Sequence, residues 1–138
     1  MEIREMKIED YDQVYSLWED TDIILKKSDE KQEIDRMIKR NPYTCLVGEK
    51  DNEIISAVMG GFDGRRGYVH HLAVKPELQG KGLGREMMEE VVKRFKDLKV
   101  IKVHLFVEEN NIDVKDFYRN IGFEERTDLT DFSKTLIT

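Results

Sequence analysis

Apolar and polar positions along this chain follow two periods, one near 3.6 residues and one near two, and the switches between them mark its elements. Ile3, Met6 and Ile8 frame a short opening strand over residues 2–7. From Glu9 to Asp20 the apolar positions Tyr11, Val14, Leu17 and Trp18 recur at helical spacing, with Tyr15 beside the stripe. Asp20-Thr21-Asp22 breaks that helix. Ser28 or Asp29 is placed to cap a second one, whose apolar face is Ile34, Met37 and Ile38. Asn41-Pro42 stops it, because proline drives the residue before it out of the helical region. Thr44–Glu49 and Ile54–Met59 read as strands joined by a hairpin turn at Lys50–Glu53, and Gly60-Gly61 closes the second. After a turn at Asp63-Gly64, Tyr68–Val74 reads as the next strand, antiparallel to the last. Leu83, Met87, Met88, Val91, Val92 and Phe95 then share one helix face. Val103, Leu105 and Val107 alternate with Lys102, His104 and Phe106 in a strand expected over Val100–Val107. A short helix over Ile112–Ile121 carries Val114, Phe117, Tyr118 and Ile121, and Gly122 is placed to end it in a left-handed conformation. Phe123–Arg126 and Phe132–Ile137 are expected to form a closing hairpin.

This order predicts an α/β (α+β) fold, a sheet with helices on its faces. The strand at 68–74, the helix after it and the strand at 100–107 make one parallel crossover unit. No repeat, low-complexity segment or linker interrupts the order, so residues 1–138 read as a single domain.

Composition narrows the chemistry. A charged fraction of 38% with both signs plentiful describes a heavily charged soluble surface. The net charge of −6 argues against a broad nucleic-acid-binding face and suits a cationic amine substrate. The lone cysteine, Cys45, excludes an internal disulfide and any multi-cysteine metal site, and its apolar surroundings mark it as a core thiol. No metal is expected. The first residues alternate with charges, unlike a signal peptide, and no apolar run approaches the ~20 residues that span a bilayer. The expected location is the cytoplasm, away from membranes.

The sharpest local signal is the stretch from His70 to Arg85. It opens as a strand, bends at Pro76, and closes as Gln79-Gly80-Lys81-Gly82-Leu83-Gly84-Arg85 at the entry to a helix. The first turn of a helix has free amides and a partial positive charge, and glycines let a phosphate approach the backbone closely. Lys81 and Arg85 add formal charge. The pattern predicts a phosphate or diphosphate cradle, although the same glycines would also serve a tight strand-to-helix turn. A P-loop needs Ser or Thr after Gly-Lys, whereas Gly82 follows Lys81 here. A Rossmann fingerprint needs G-x-G-x-x-G after the first strand, whereas this G-x-G-x-G lies past the midpoint, after an antiparallel meander.

Leu72-Ala73-Val74, then Pro76, then Gln79-x-x-Gly82-x-Gly84, resembles the acetyl-coenzyme A motif of the GCN5-related N-acetyltransferase (GNAT) superfamily, Gln/Arg-x-x-Gly-x-Gly/Ala. A downstream element matches as well: Asn111, then Phe117-Tyr118, then Ile121-Gly122-Phe123. With Trp18 and Met-Gly-Gly-Phe-Asp-Gly over 59–64, the chain looks most like the small YpeA-type subgroup. The resemblance implies a GNAT fold, with a mixed, mostly antiparallel sheet of about seven strands, split near the donor site, and about four helices. It implies acetyl-CoA as cosubstrate and N-acetyl transfer to a primary amine, small or peptidic. A non-catalytic coenzyme A sensor on the same fold is the alternative. Backbone groups of Leu72 and Val74 would pair with the pantetheine arm, with Ala73 between them counted among the donor-binding residues. Gln79, Gly80, Lys81, Gly82, Leu83, Gly84 and Arg85 would hold the diphosphate. Asn111 would contact the donor arm and also suits a helix N-cap.

Amide formation from a thioester needs a base to deprotonate the ammonium, an acid for the departing thiolate and a donor for the oxyanion. By the resemblance, Tyr118 holds the general-acid position and Leu72 supplies the backbone donor. Some family members carry a glutamate base at the position of Phe106, which cannot serve. Others place histidines nine and eleven residues before the Gln, at His70 and Tyr68 here. Strand alternation puts Tyr68, His70 and Leu72 on one face and His71 on the other, so His70 is the expected base. His104 is second, and water with backbone carbonyls third. Tyr15, Trp18 and the Asp20–Lys27 loop are expected near the acceptor, although Trp18 also suits the core. Arg65 and Arg66 would reach the donor's adenosine phosphate or stay solvated. The strand expected at Phe132–Ile137 offers an edge for a homodimer.

Overall fold

Five strands hydrogen-bond in the order β1-β2-β3-β4-β5: β1 (Glu2–Glu5), β2 (Cys45–Lys50), β3 (Glu53–Phe62), β4 (Gly67–Val74) and β5 (Val103–Leu105). The first four are antiparallel neighbours, and β5 runs parallel to β4. Four helices accompany them: α1 (Tyr11–Asp20), α2 (Lys31–Arg40), α3 (Leu83–Asp97) and α4 (Ile112–Asn120). The computed structural model describes residues Met1–Thr138, which divide into two units, Met1–Leu105 and Phe106–Thr138.

In the first unit, period-two alternation sorts the sheet residues onto two faces. Cys45, Val47, Ala57, Met59 and Ala73 form one core with Val14, Leu17 and Trp18 of α1 and Ile34 and Ile38 of α2. Met87, Met88, Val91 and Phe95 of α3 are buried on the other face. Phe95 packs against β4 at Gly67, which has no side chain to displace it. A Cβ at Gly67 would sit 2.8 Å from the Phe95 ring. The β2–β3 hairpin turns through Asp51 and Asn52, both at positive φ (52° and 63°), the conformation that short polar residues tolerate best. Arg4 binds the Asp10 carboxylate through both guanidinium ends, at 2.8 and 2.9 Å, and ties β1 to the start of α1.

The second helix starts later than its expected caps. Ser28 and Asp29 lie in a short 3-10 turn, Lys27–Asp29, because the Asp29 carboxylate accepts the Lys26 amide at 3.0 Å and closes that turn. The α2 helix begins only at Lys31. The strand expected over Val100–Val107 shrinks to Val103–Leu105, for a reason that lies in its partner. The parallel ladder runs only from Gly67↔Val103 to Val69↔Leu105. Before Gly67 the chain is turning, and after Val69 it bulges.

That bulge is the main irregularity of the sheet. Between the pairs Ala57↔Ala73 and Met59↔His70, β3 advances two residues and β4 three. His71 absorbs the extra residue at φ 52°, a left-handed conformation costing a non-glycine residue roughly 1–2 kcal/mol.

In the second unit, the Asn111 carboxamide caps α4 by accepting the Val114 amide at 3.3 Å. Tyr118 stands edge-on to Phe117 and Phe123, at ring separations of 5.0 and 5.7 Å. The expected closing hairpin is not formed. Residues 121–138 are turns, bends and irregular chain, and Phe132 is 91% exposed. Alternation alone does not make a strand; a ladder partner is required. The sheet therefore has five strands, not about seven.

Candidate active site

The bulge opens the sheet beside β4. Past Val69 no strand pairs with the side of β4 that faces β5. The Lys75 amide donates to the Ile55 carbonyl of β3 at 2.8 Å. Alternation then turns the amides and carbonyls of Leu72 and Val74 away from β3, toward that opening. Leu72 and Val74 therefore present the backbone groups that an extended donor arm needs. Gln79 is also located: its side-chain amide donates to the Val74 carbonyl at 3.0 Å. Its role in the structure is to pin the loop against the strand end.

That loop delivers a helix N-terminus. Gly80 and Gly82 take φ values of 79° and 84°, and a Cβ at either would meet nothing within 4 Å. The first intrahelical bond of α3 runs from the Glu86 amide to the Gly82 carbonyl, at 3.1 Å. The amides of Leu83, Gly84 and Arg85 thus have no partner within the helix, and no side chain caps it. The Lys81 ammonium makes no ion pair, whereas Arg85 binds Glu89 at 2.9 Å. The site has open space, free donors and a positive helix end, as a phosphate group requires.

The bulge also rearranges the histidines. His70 pairs across the ladder with Met59, which belongs to the core face covered by α1 and α2. His71 belongs to this face too, not the opposite one: its ring meets the Trp18 ring edge-on at 5.0 Å, and its Nε2 lies 2.7 Å from Asp29 Oδ1. Counting back from Ala73, the frame shift turns Leu72 to the other face, away from Tyr68 and His70. Burial alone would raise the Asp29 carboxyl, but the bonds from His71 and the Lys26 amide hold it below its ordinary value. His70 is open to solvent at its surface, yet the surrounding protein desolvates its ring. Desolvation lowers its pKa, the charge of His71 lowers it further, and Asp29 acts in the opposite sense.

His104 stacks on Tyr68 at 5.4 Å, and its Nε2 lies 3.2 Å from an Arg66 guanidinium nitrogen. Arginine can only donate, so that imidazole lone pair is engaged. This contact also directs Arg66 to His104, while the Asp63 carboxylate accepts the amides of Arg65 and Arg66, each at 2.8 Å. Trp18 is a core residue, fully buried, with its indole N–H lacking an acceptor. Tyr15, Ile23 and Leu25 pack against the same core, and Ile24 points out. Burial pushes the Tyr118 phenol up to about 12, so it is protonated at neutral pH and able to donate. Phe106 is exposed and has no titratable group. Cys45 is fully buried and its thiol is pushed up to about 12, which makes it inert. Asp29 and His71 are the pair that sequence reasoning missed: the Asp29 side chain looked like a helix cap, and no residue pattern announces a bulge.

No helix is long and apolar enough to cross a membrane. The same architecture occurs in solved structures. Ard1 from Thermoplasma volcanium superposes with a TM-score of 0.81 at 18% identity, over 89% of this chain and 82% of that one. PaiA N-acetyltransferase from Thermoplasma acidophilum, solved in complex with coenzyme A, gives 0.81 at 22% identity, over 92% of each chain. In sequence, acetyltransferase ECA0875 of Pectobacterium atrosepticum is 34% identical over 124 residues, 90% of this chain and 88% of that protein. Residues 10–123 match the acetyltransferase (GNAT) family. A free helix end beside a parted strand edge, and a family match that spans both, make this chain a member of the GNAT acetyltransferases.

Proposed function

We propose that the protein transfers the acetyl group of acetyl-CoA to a primary amine by direct attack within a ternary complex, with residues 1–138 acting as one catalytic domain. The observation that carries this is the uncapped α3 N-terminus adjoining the unpaired edge of β4. The amides of Gly80 to Arg85 and the Lys81 ammonium would hold the diphosphate. The Leu72 carbonyl and the Val74 amide would hold the pantetheine arm, the Val74 carbonyl being taken by Gln79, and the Leu72 amide would receive the oxyanion. The Asn111 carboxamide, which caps α4 through its oxygen, keeps its NH2 available to the donor arm. Tyr118, with its phenol protonated, would return a proton to the departing thiolate.

An amine acceptor is supported by the acidic balance of the chain, −6. Neighbours of this fold named as aminoglycoside 6'-N-acetyltransferase and ribosomal-protein-S18-alanine N-acetyltransferase also carry amine acceptors in their names. The test is calorimetric titration with acetyl-CoA, then thiol release on a panel of spermidine, lysine, an aminoglycoside and short peptides with free N-termini. Saturable donor binding with thiol release on at least one amine is expected. No binding at millimolar donor would refute the assignment, and binding without release on any amine would favour a coenzyme A sensor.

A further inference from the structure

The Asp29–His71 pair has the form of an oriented base. Asp29 is 7% exposed, and both its carboxylate oxygens are engaged: Oδ1 with His71 Nε2 at 2.7 Å and Oδ2 with the Lys26 amide at 3.0 Å. Its carbonyl accepts the Tyr11 hydroxyl at 2.7 Å, so the 3-10 turn that carries it is held to α1. An ionised carboxylate only accepts, so the proton between the two groups sits on Nε2. The neutral ring then has its lone pair on Nδ1, which makes no hydrogen bond to the protein. Trp18 fixes the ring plane from the side, at 68° to it. The His71 side chain remains 24% accessible.

Position adds to geometry. His71 is the residue before Leu72, whose amide faces the opening in the sheet. Consecutive Cα atoms are about 3.8 Å apart, so His71 leaves the chain one residue from the amide that the acetyl-transfer reading gives to the oxyanion. The chain adopts a left-handed backbone at a histidine to put it there, and such strain persists only where the surrounding structure enforces it. His70, by contrast, has no hydrogen-bonding partner to orient it.

We propose that His71 takes the proton from the acceptor ammonium through Nδ1, with Asp29 as its positioning residue. The proposal rests on the acetyl-transfer function above. The ammonium N–H bond breaks as the Nδ1–H bond forms, which leaves a neutral amine and an imidazolium paired with Asp29. The amine nitrogen then bonds to the thioester carbon. The C–S bond breaks with its electron pair on sulfur, which takes the Tyr118 phenol proton, and the second amine proton restores that phenol. The charged and titratable groups facing the ring are Asp29 from the 3-10 turn and His70 from β4. On the α1 side stand the Trp18 ring and the Tyr11 hydroxyl, the latter bonded to Asp29 itself.

The test compares wild type with His71→Gln, Asp29→Asn and His70→Ala, using the panel amine that releases thiol fastest. Glutamine keeps a donor for Asp29, so His71→Gln preserves the link to the 3-10 turn. Its kcat should fall on the order of 100-fold at pH 7, with the KM for acetyl-CoA unchanged, and the deficit should shrink as pH rises toward the amine's own pKa. Asp29→Asn should lower kcat about tenfold and move the acid limb of kcat to lower pH, because the imidazolium loses its counter-charge. A merely structural role would lower activity without moving that limb. Retention of wild-type kcat by His71→Gln, or loss of the acid limb in His70→Ala instead, would overturn the proposal and leave acetyl transfer standing. Failure of wild type to bind acetyl-CoA would remove both. Nitrogen-15 spectra of the wild-type imidazoles give a measurement that needs no substrate. The His71 ring should carry its neutral proton on Nε2, and a proton on Nδ1 would overturn the assignment.

Discussion

Replacing Gly82 by alanine separates what the loop does for the fold from what it does for the ligand. Gly82 sits at φ 84°, and its Cβ would meet nothing within 4 Å. The only folded-state cost is therefore the left-handed backbone, roughly 1–2 kcal/mol. For a chain of 138 residues, an unfolding entropy of about 2.1 cal/mol/K per residue gives close to 0.29 kcal/mol/K in total. The expected loss of Tm is then about 3–7 °C by differential scanning calorimetry. Gly64 is the control. It too has a positive φ, 100°, and empty space around it, but it lies in the β3–β4 turn. Gly64→Ala should lose a similar Tm. Only Gly82→Ala should also weaken acetyl-CoA, since relaxing the strain would turn the Leu83, Gly84 and Arg85 amides away from the place proposed for the diphosphate. An anion at a partly buried helix N-terminus is worth up to about 2 kcal/mol, so Kd should rise about 5- to 30-fold by calorimetry. Equal Kd values for the two variants would refute the assignment of the diphosphate to this loop.

Tyr118→Phe should lower kcat more than it raises the Kd for acetyl-CoA, because it removes a proton donor and keeps the ring that packs on Phe117 and Phe123; equal losses would mean that the residue only packs. Stability should decline in acid as the depressed carboxylates take up protons. Burial would raise Asp10, but the bonds from Arg4 and the Lys7 amide hold it below its ordinary carboxylate value, and Asp29 is lowered likewise. A depressed carboxylate stabilises the fold above its unfolded pKa and loses that contribution as pH falls through the folded one. Urea midpoints should thus hold from neutrality to about pH 5 and drop below about pH 4, and Asp10→Asn should flatten the drop. Parallel wild-type and Asp10→Asn profiles would sink this explanation.

Periodicity and motif spacing were enough for four helices, for the first four strands within a residue or a few, and for the glycine-rich helix entry. These depend on local chemistry. Helical stripes repeat within one segment, Asn-Pro and Gly punctuate at fixed positions, and the glycine-rich run Gly80–Arg85 is contiguous. The length of β5, the missing closing hairpin and the identity of the oriented histidine depend on partners far along the chain. A strand lasts only as long as its ladder, and the ladder from β4 ends where the bulge begins. The bulge itself shows only when β4 is laid against β3, three residues against two. It moves His71 from the expected far face to the face of Trp18 and Asp29. That pairing joins residues 42 positions apart, a relation that exists only once the chain is folded.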